Sequence, residues 1–214
     1  MKIPPLRIPV RAFTILELVI VLAIIMVAGG LLLPSCAGSH KGTRIRCVSN
    51  LKQIGLAFRM WSNDHAEKFP MAVSTNGGGS LEEIGAGPLH HFLAISNELN
   101  SPKILACPSD KKRPRVSEFT RLTGKNVSYF VGLDASETQL QSILSGDRNI
   151  STKDRAISGI LSLASNSPVC WTKENHDGAG DFGLGDGSAE QASTTNLQTQ
   201  IGRSAYFPVR LELP

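Results

Sequence analysis

From Phe13 to Leu33 the chain runs through 21 residues of which one, Glu17, is ionisable. As a helix this run is about 31 Å long, which matches a hydrocarbon core of about 30 Å. A carboxylate near the centre of such a helix costs roughly 2.5–3.5 kcal/mol on insertion scales, and ionisable residues in that setting are functional by default. Glu17 therefore needs a cation that the run itself does not contain. Cutting the chain between Ala12 and Phe13 would supply one, because the new α-amino group of Phe13 stands four residues, one helical turn, before Glu17. Two unit charges about 4 Å apart at an effective dielectric of about 20 attract by about 4 kcal/mol, enough to offset the insertion cost.

The flanks set an orientation. Lys2, Arg7 and Arg11 precede the run and no acid precedes Glu17, which reads as positive-inside. The expected organisation is a basic leader over 1–12, a transmembrane and assembly helix over 13–34, and a globular domain over 35–214. That reads as a single-pass chain with its leader in the cytoplasm and the residues after Pro34 outside. Gly29-Gly30 and Pro34 weaken or bend the helix near its outer end. A carboxylate inside the apolar core is wrong for a cleaved secretory signal. Leu33-Pro34-Ser35-Cys36 is a rival reading as a lipoprotein processing box. Its proline is unfavourable there, and it leaves Glu17 unexplained.

Four cysteines, Cys36, Cys47, Cys107 and Cys170, allow three full pairings, and no spacing among them suits a zinc site. A formal charge of +4 with no aromatic ladder beside Lys111-Lys112-Arg113 gives no argument for nucleic acid. No nucleophile elbow, zinc-protease helix, phosphate loop or dinucleotide fingerprint is present, so nothing points to an enzyme or an organic cofactor.

The string Phe13-Thr14-Ile15-Leu16-Glu17 resembles the processing site of type IV prepilins and type II secretion pseudopilins. The order of Ile15 and Leu16 is reversed, and Ala12 stands where that family usually has glycine. Pro34 matches a proline that these helices often carry. Three further segments resemble bacterial prepilin-type proteins: Arg46-Cys47-Val48-Ser49-Asn50-Leu51-Lys52-Gln53-Ile54-Gly55-Leu56-Ala57, Cys107-Pro108-Ser109-Asp110, and His176 followed after nine residues by Asp186-Gly187. The resemblance implies an α+β, pilin-like fold, with one long N-terminal helix, half in membrane lipid and half packed on a small antiparallel sheet. It implies cleavage and N-methylation at Phe13 by a prepilin peptidase. It implies a single-pass inner-membrane location with the C-terminal domain periplasmic, then self-assembly with like subunits into a periplasmic or surface filament, driven by inner-membrane secretion or pilus machinery, with Glu17 setting register against a neighbour's amine. It also implies a Cys47–Cys107 disulfide, from the paired occurrence of these positions in similar sequences. The alternative function is an extracytoplasmic binding module for a glycan or an ion, anchored by the helix or by lipid.

Beyond the run, residues 43–64 carry Ile45, Val48, Leu51, Ile54 or Gly55, Phe58 and Trp61 at three- and four-residue steps, which predicts an amphipathic helix continuing the first. A short helix is expected over Leu89–Leu99, where His90 and His91 point to different faces. Strands are expected over Val127–Val131, Gly159–Leu163, Val169–Thr172, Asp181–Leu184 and Ala189–Ala192, and a helical turn over Ser136–Leu144. Asp186-Gly187 between alternating segments suits a type I′ hairpin turn. Asp177, Asp181 and Asp186 would alternatively gather a hard cation such as Ca²⁺. His176 is a poor ligand for so hard an ion, so on either reading it is expected to hydrogen-bond across the hairpin rather than bind metal.

Overall fold

The computed structural model describes residues 14–32, 39–152, 155–156, 159–204 and 207–214. Ala12, Phe13, Pro34 and Cys36 lie outside the described residues. The chain divides into two compact units, residues 1–39 and 40–214.

In the first unit, helix α1 spans Ile15–Leu32. Its start is built by the sequence Thr-x-x-Glu. The Thr14 amide and hydroxyl both donate to Glu17 Oε2, at 3.0 and 3.1 Å, and the Glu17 amide donates back to Thr14 Oγ1 at 3.3 Å. This reciprocal cap satisfies amides that a helix N-terminus otherwise leaves bare. Glu17 thus has a partner in its own chain, and those bonds hold its carboxyl below the usual glutamate range. The join expected between the first helix and the next, residues 33–38, lies outside the described residues. Helix α1 has 18 residues, about 27 Å, and its first turn carries the charge. Among the described residues no helix is long and apolar enough to cross a membrane. That corrects both the long membrane-spanning helix and the single-pass inner-membrane location.

The second unit is α+β. Helix α2, Ser39–Asn63, is followed by short helices α3, Leu89–Ala94, and α4, Ser96–Leu99, so the segment expected as one helix breaks at Ile95. Strands β1, Tyr129–Gly132, β2, Ile143–Asp147, β5, Gly159–Leu163, β7, Gly180–Leu184, β8, Ala189–Ala192, and β9, Val209–Leu213, form an antiparallel sheet in the order β5-β9-β1-β2-β7-β8. Strands β3, Ile150–Thr152, β4, Arg155–Ala156, and β6, Val169–Trp171, form a second sheet in the order β4-β3-β6. Helix α5, Lys173–His176, precedes β7, and α6, Thr194–Gly202, follows β8.

Both faces of the large sheet are covered. On one, Leu51, Ile54, Phe58 and Trp61 of α2 meet Tyr129 and Val131 of β1 and Phe92 of α3. On the other, Phe130, Phe182 and Leu211 meet Trp171 of β6 and Leu197 and Ile201 of α6. Burying an aliphatic or aromatic side chain of this size contributes about 1.5–3 kcal/mol, so the stripe on α2 is a main source of cohesion. Its first two members are less covered, since Ile45 is 62% exposed and Val48 is half-buried.

Candidate functional site

The segment from His176 to Ser188 frames strand β7, and its two ends meet α2 differently. At the far end, Leu184 to Ser188 form the turn into β8. The Gly187 amide donates to Leu184 O at 2.9 Å, the Leu184 amide donates to Ser188 O at 2.9 Å, and Gly187 has φ +81°. Among the described residues of this loop only Gly187 has positive φ, so the turn is a type I turn with a glycine bulge rather than the expected type I′. Asp186 Oδ1 accepts from the Ser188 amide at 2.8 Å, and Arg59 of α2 donates to Asp186 O at 2.9 Å. A Cβ on Gly55 would stand 2.9 Å from the Gly187 Cα. Two bare glycines thus let the hairpin tip lie directly on the helix.

The near end is polar and buried. Cys47 of α2 is disulfide-bonded to Cys107, and Cys107 Sγ lies 3.5 Å from His176 Nε2. The same nitrogen is 3.2 Å from Asp147 Oδ2 at the end of β2 and 3.6 Å from Asp181 Oδ2 at the start of β7. Arg44 of α2 donates from Nε to Asp181 Oδ1 at 3.1 Å and from Nη2 to Gly180 O at 3.2 Å. The Asp181 amide donates to Asp147 Oδ2 at 2.8 Å. Both aspartates are fully buried. Asp147 Oδ1 and Asp181 Oδ2 nevertheless have no hydrogen-bond partner. Burial, reinforced by repulsion from Asp147, pushes Asp181 up to about 6. Burial disfavours an imidazolium at His176, but Asp147 and Asp181 outweigh it and raise its pKa above the ordinary histidine value. A cavity of about 790 Å³, lined by Arg44, Ile45, Ser109, Asn175, His176 and Asp177 among others, opens onto this cluster.

The calcium trio is not assembled. Asp181 is the second residue of β7 and Asp186 lies in the turn after that strand, and the three aspartates are not among the groups of described residues whose ligand atoms converge. Asp177 is a left-handed residue ending α5, at φ 52°. His176 sits in α5, before the hairpin, and its Nε2 faces Asp147 of β2, the disulfide and Asp181 at the start of β7 rather than reaching across to Asp186. Sequence reasoning missed Arg44 and Asp147. Arg44 stood one residue before the expected stripe, and Asp147 lies in Ser145-Gly146-Asp147-Arg148, a string that reads as a turn.

Two neighbouring networks frame the site. Asp110, from the Cys107-Pro108-Ser109-Asp110 string, accepts from Arg148 Nε and Nη2 at 2.6 and 2.9 Å, and Arg148 also donates to Glu174 at 3.0 Å. This ties the loop after the disulfide to β2 and α5. Farther along the sheet, His91 Nδ1 lies 2.7 Å from Ser80 Oγ and its Nε2 lies 2.8 Å from Glu212 Oε2, while the Gly85 and Gly87 amides donate to Glu212 Oε1 at 2.9 and 2.7 Å. Although Ser80, His91 and Glu212 have the membership of a hydrolytic triad, Ser80 is 1% exposed and the other two are wholly enclosed. No substrate carbonyl reaches Ser80 in that setting, and the group fastens the 80–91 loop to β9.

Set against models of protein families, curated proteins and solved structures, the chain matches none.

Proposed function

We propose that the protein is a structural subunit of a type IV pilus-like or type II secretion pseudopilus filament that polymerises through α1. One observation carries this reading. Every side chain from Thr14 to Val27 is exposed, including Ile15, Leu18, Val19, Leu22, Ile24 and Ile25. A helix apolar on all sides is stable only when covered, and a contiguous apolar surface of this size marks an interaction site. A bundle of like helices from other subunits is the cover that fits. Glu17 sits exposed in the first turn, where a packed neighbour must meet its charge. The α-amine of a processed Phe13 on the adjacent subunit would do so and would fix the axial register. On this reading a prepilin peptidase cuts after Ala12, and a secretion or pilus assembly machine adds subunits.

The test is filament yield. Filaments sheared from cells and pelleted without detergent should contain the chain, with Phe13 as its first residue by mass spectrometry. Glu17→Ala should reduce the pelleted yield at least tenfold while leaving the globular unit folded. Wild-type yield from that variant, or a mature chain beginning at a lipid-modified Cys36, would overturn the proposal.

A further inference from the structure

We propose that Asp147, His176 and Asp181 form a binding site for a divalent transition-metal ion of the zinc type. The three residues arrive from β2, α5 and β7, and one donor atom from each lies within 4.8 Å of the others. Around a tetrahedral zinc ion, with bonds of about 2.0–2.2 Å to nitrogen and oxygen, neighbouring donors stand about 3.3–3.6 Å apart. The His176 Nε2 separations of 3.2 and 3.6 Å from the two carboxylates already match that spacing.

A second observation points to a ligand. Buried carboxylate oxygens in native proteins almost always have partners, because an unpaired one forfeits its full hydration. Here Asp181 is fully buried and its Oδ2, the oxygen nearest His176 Nε2, has no hydrogen bond, while fully buried Asp147 keeps Oδ1 unpaired beside the Oδ2 that takes the Asp181 amide. Arg44 is the one permanent cation at ion-pair distance from either, among the described residues, and it engages the Asp181 oxygen turned away from His176. Two carboxylates against one guanidinium leave one net negative charge, which suits a dication. Arg44 also orients Asp181, as partners behind a metal ligand commonly do.

The donor set selects the ion. An imidazole nitrogen beside two carboxylates suits zinc, cobalt or iron, whereas calcium and magnesium prefer oxygen alone. Cys107 Sγ is close by, but its bond to Cys47 removes it as a thiolate donor. His176 and Arg44 line the cavity of about 790 Å³, which gives an ion its route. The competing occupant is a proton on His176, which would bridge the same two carboxylates.

The experiment uses the full chain, disulfide intact and stripped with a chelator, titrated with Co²⁺ and then with Zn²⁺. Expected is one Co²⁺ per chain, giving visible d–d bands and no thiolate-to-metal charge-transfer band, and displaced by Zn²⁺. Calorimetry should find Zn²⁺ affinity about 100-fold weaker in His176→Gln and in Asp147→Asn, as loss of a direct ligand should cost at least as much as loss of a supporting partner. Both variants should keep the wild-type circular dichroism spectrum, and His90→Gln should bind like wild type. Absence of saturable binding by folded wild type would overturn the site and leave the proton as occupant. Unchanged affinity in folded His176→Gln, or a thiolate band, would also overturn it by placing the ion elsewhere.

Discussion

Two carboxylate–histidine clusters are buried on the same face of the six-stranded sheet, and they differ in how their polar atoms are met. Glu212 lies opposite Val131 and Asp147 lies opposite Tyr129, both facing α2. Every Glu212 oxygen has a donor: His91 on one, the Gly85 and Gly87 amides on the other. The Asp147 and Asp181 pair keeps two oxygens bare. The first cluster is closed and complete and only holds the loop to the strand. The second opens on a cavity, with Arg44 and His176 facing its two carboxylates. Chemical membership alone would have favoured the first, which has a serine, a histidine and an acid. Satisfaction of the hydrogen bonds separates them.

The largest expected effect comes from opening the complete cluster. Glu212→Ala strands the fully buried His91 and removes the acceptor of the part-buried Gly85 and Gly87 amides, and should cost about 3–5 kcal/mol by chemical denaturation. A loss under about 1 kcal/mol would break the comparison. The pH dependence has a fixed sign. Burial alone would raise the Glu212 carboxyl, but the His91 and glycine donors hold it below the ordinary 4.5. Its contribution is therefore complete above pH 4.5 and is lost as pH falls through the lower folded value. Urea midpoints taken downward from about pH 6 should fall less steeply in Glu212→Gln.

Next in size is Gly187→Val, which tests whether the turn positions β7 independently of the charges. A β-branched residue at φ +81° is strained whatever the space, and its Cβ would lie 3.3 Å from Arg59 Cδ. A non-glycine residue in such a conformation costs about 1–3 kcal/mol, with β-branching at the upper end. Smaller still is Asp147→Asn in metal-free protein. Removing an incompletely paired buried charge should leave stability unchanged or raise it by up to about 1 kcal/mol. A loss above about 2 kcal/mol would show the second cluster to be as complete as the first. The smallest effect is Asp186→Asn, within about 0.5 kcal/mol, because Asn presents the same oxygen to the Ser188 amide.

Legibility in the sequence followed the physics of each element. The α2 stripe was readable because α2 has one covered face, and Leu51, Ile54, Phe58 and Trp61 are buried as its spacing requires. The ranges of β5 and β8 match their sequence expectations, each bounded by turn residues. Strand β2 was invisible because all five of its residues are buried, so Ile-Leu-Ser-Gly-Asp shows no alternation. Strand β9 does alternate, with Val209, Leu211 and Leu213 on the α6 side, and that signal was overlooked. So was the Thr14–Glu17 cap, a four-residue pattern with a known mechanism. The α+β class was within reach, whereas the single long helix was not. Hydropathy counts apolar residues without locating helix ends, and α1 and α2 belong to separate compact units. At the site, His176 and Asp181 stood out locally. Arg44 and Asp147 come from 137 and 34 residues away from Asp181, and only the folded topology brings them in.

The contact of Gly55 with Gly187 makes the stretch between His176 and Gly187 a fixed-length strut. One end is seated where Arg44 meets Asp181 and the other where the glycines touch, eleven residues or about 16 Å apart along α2. Successive strand residues face opposite sides, so one residue added or removed between the ends would turn Asp181 toward the apolar layer and Phe182 toward Arg44. The segment should then accept many changes of identity between its ends and almost none of length. Along this strut helix α2 acts as a ruler.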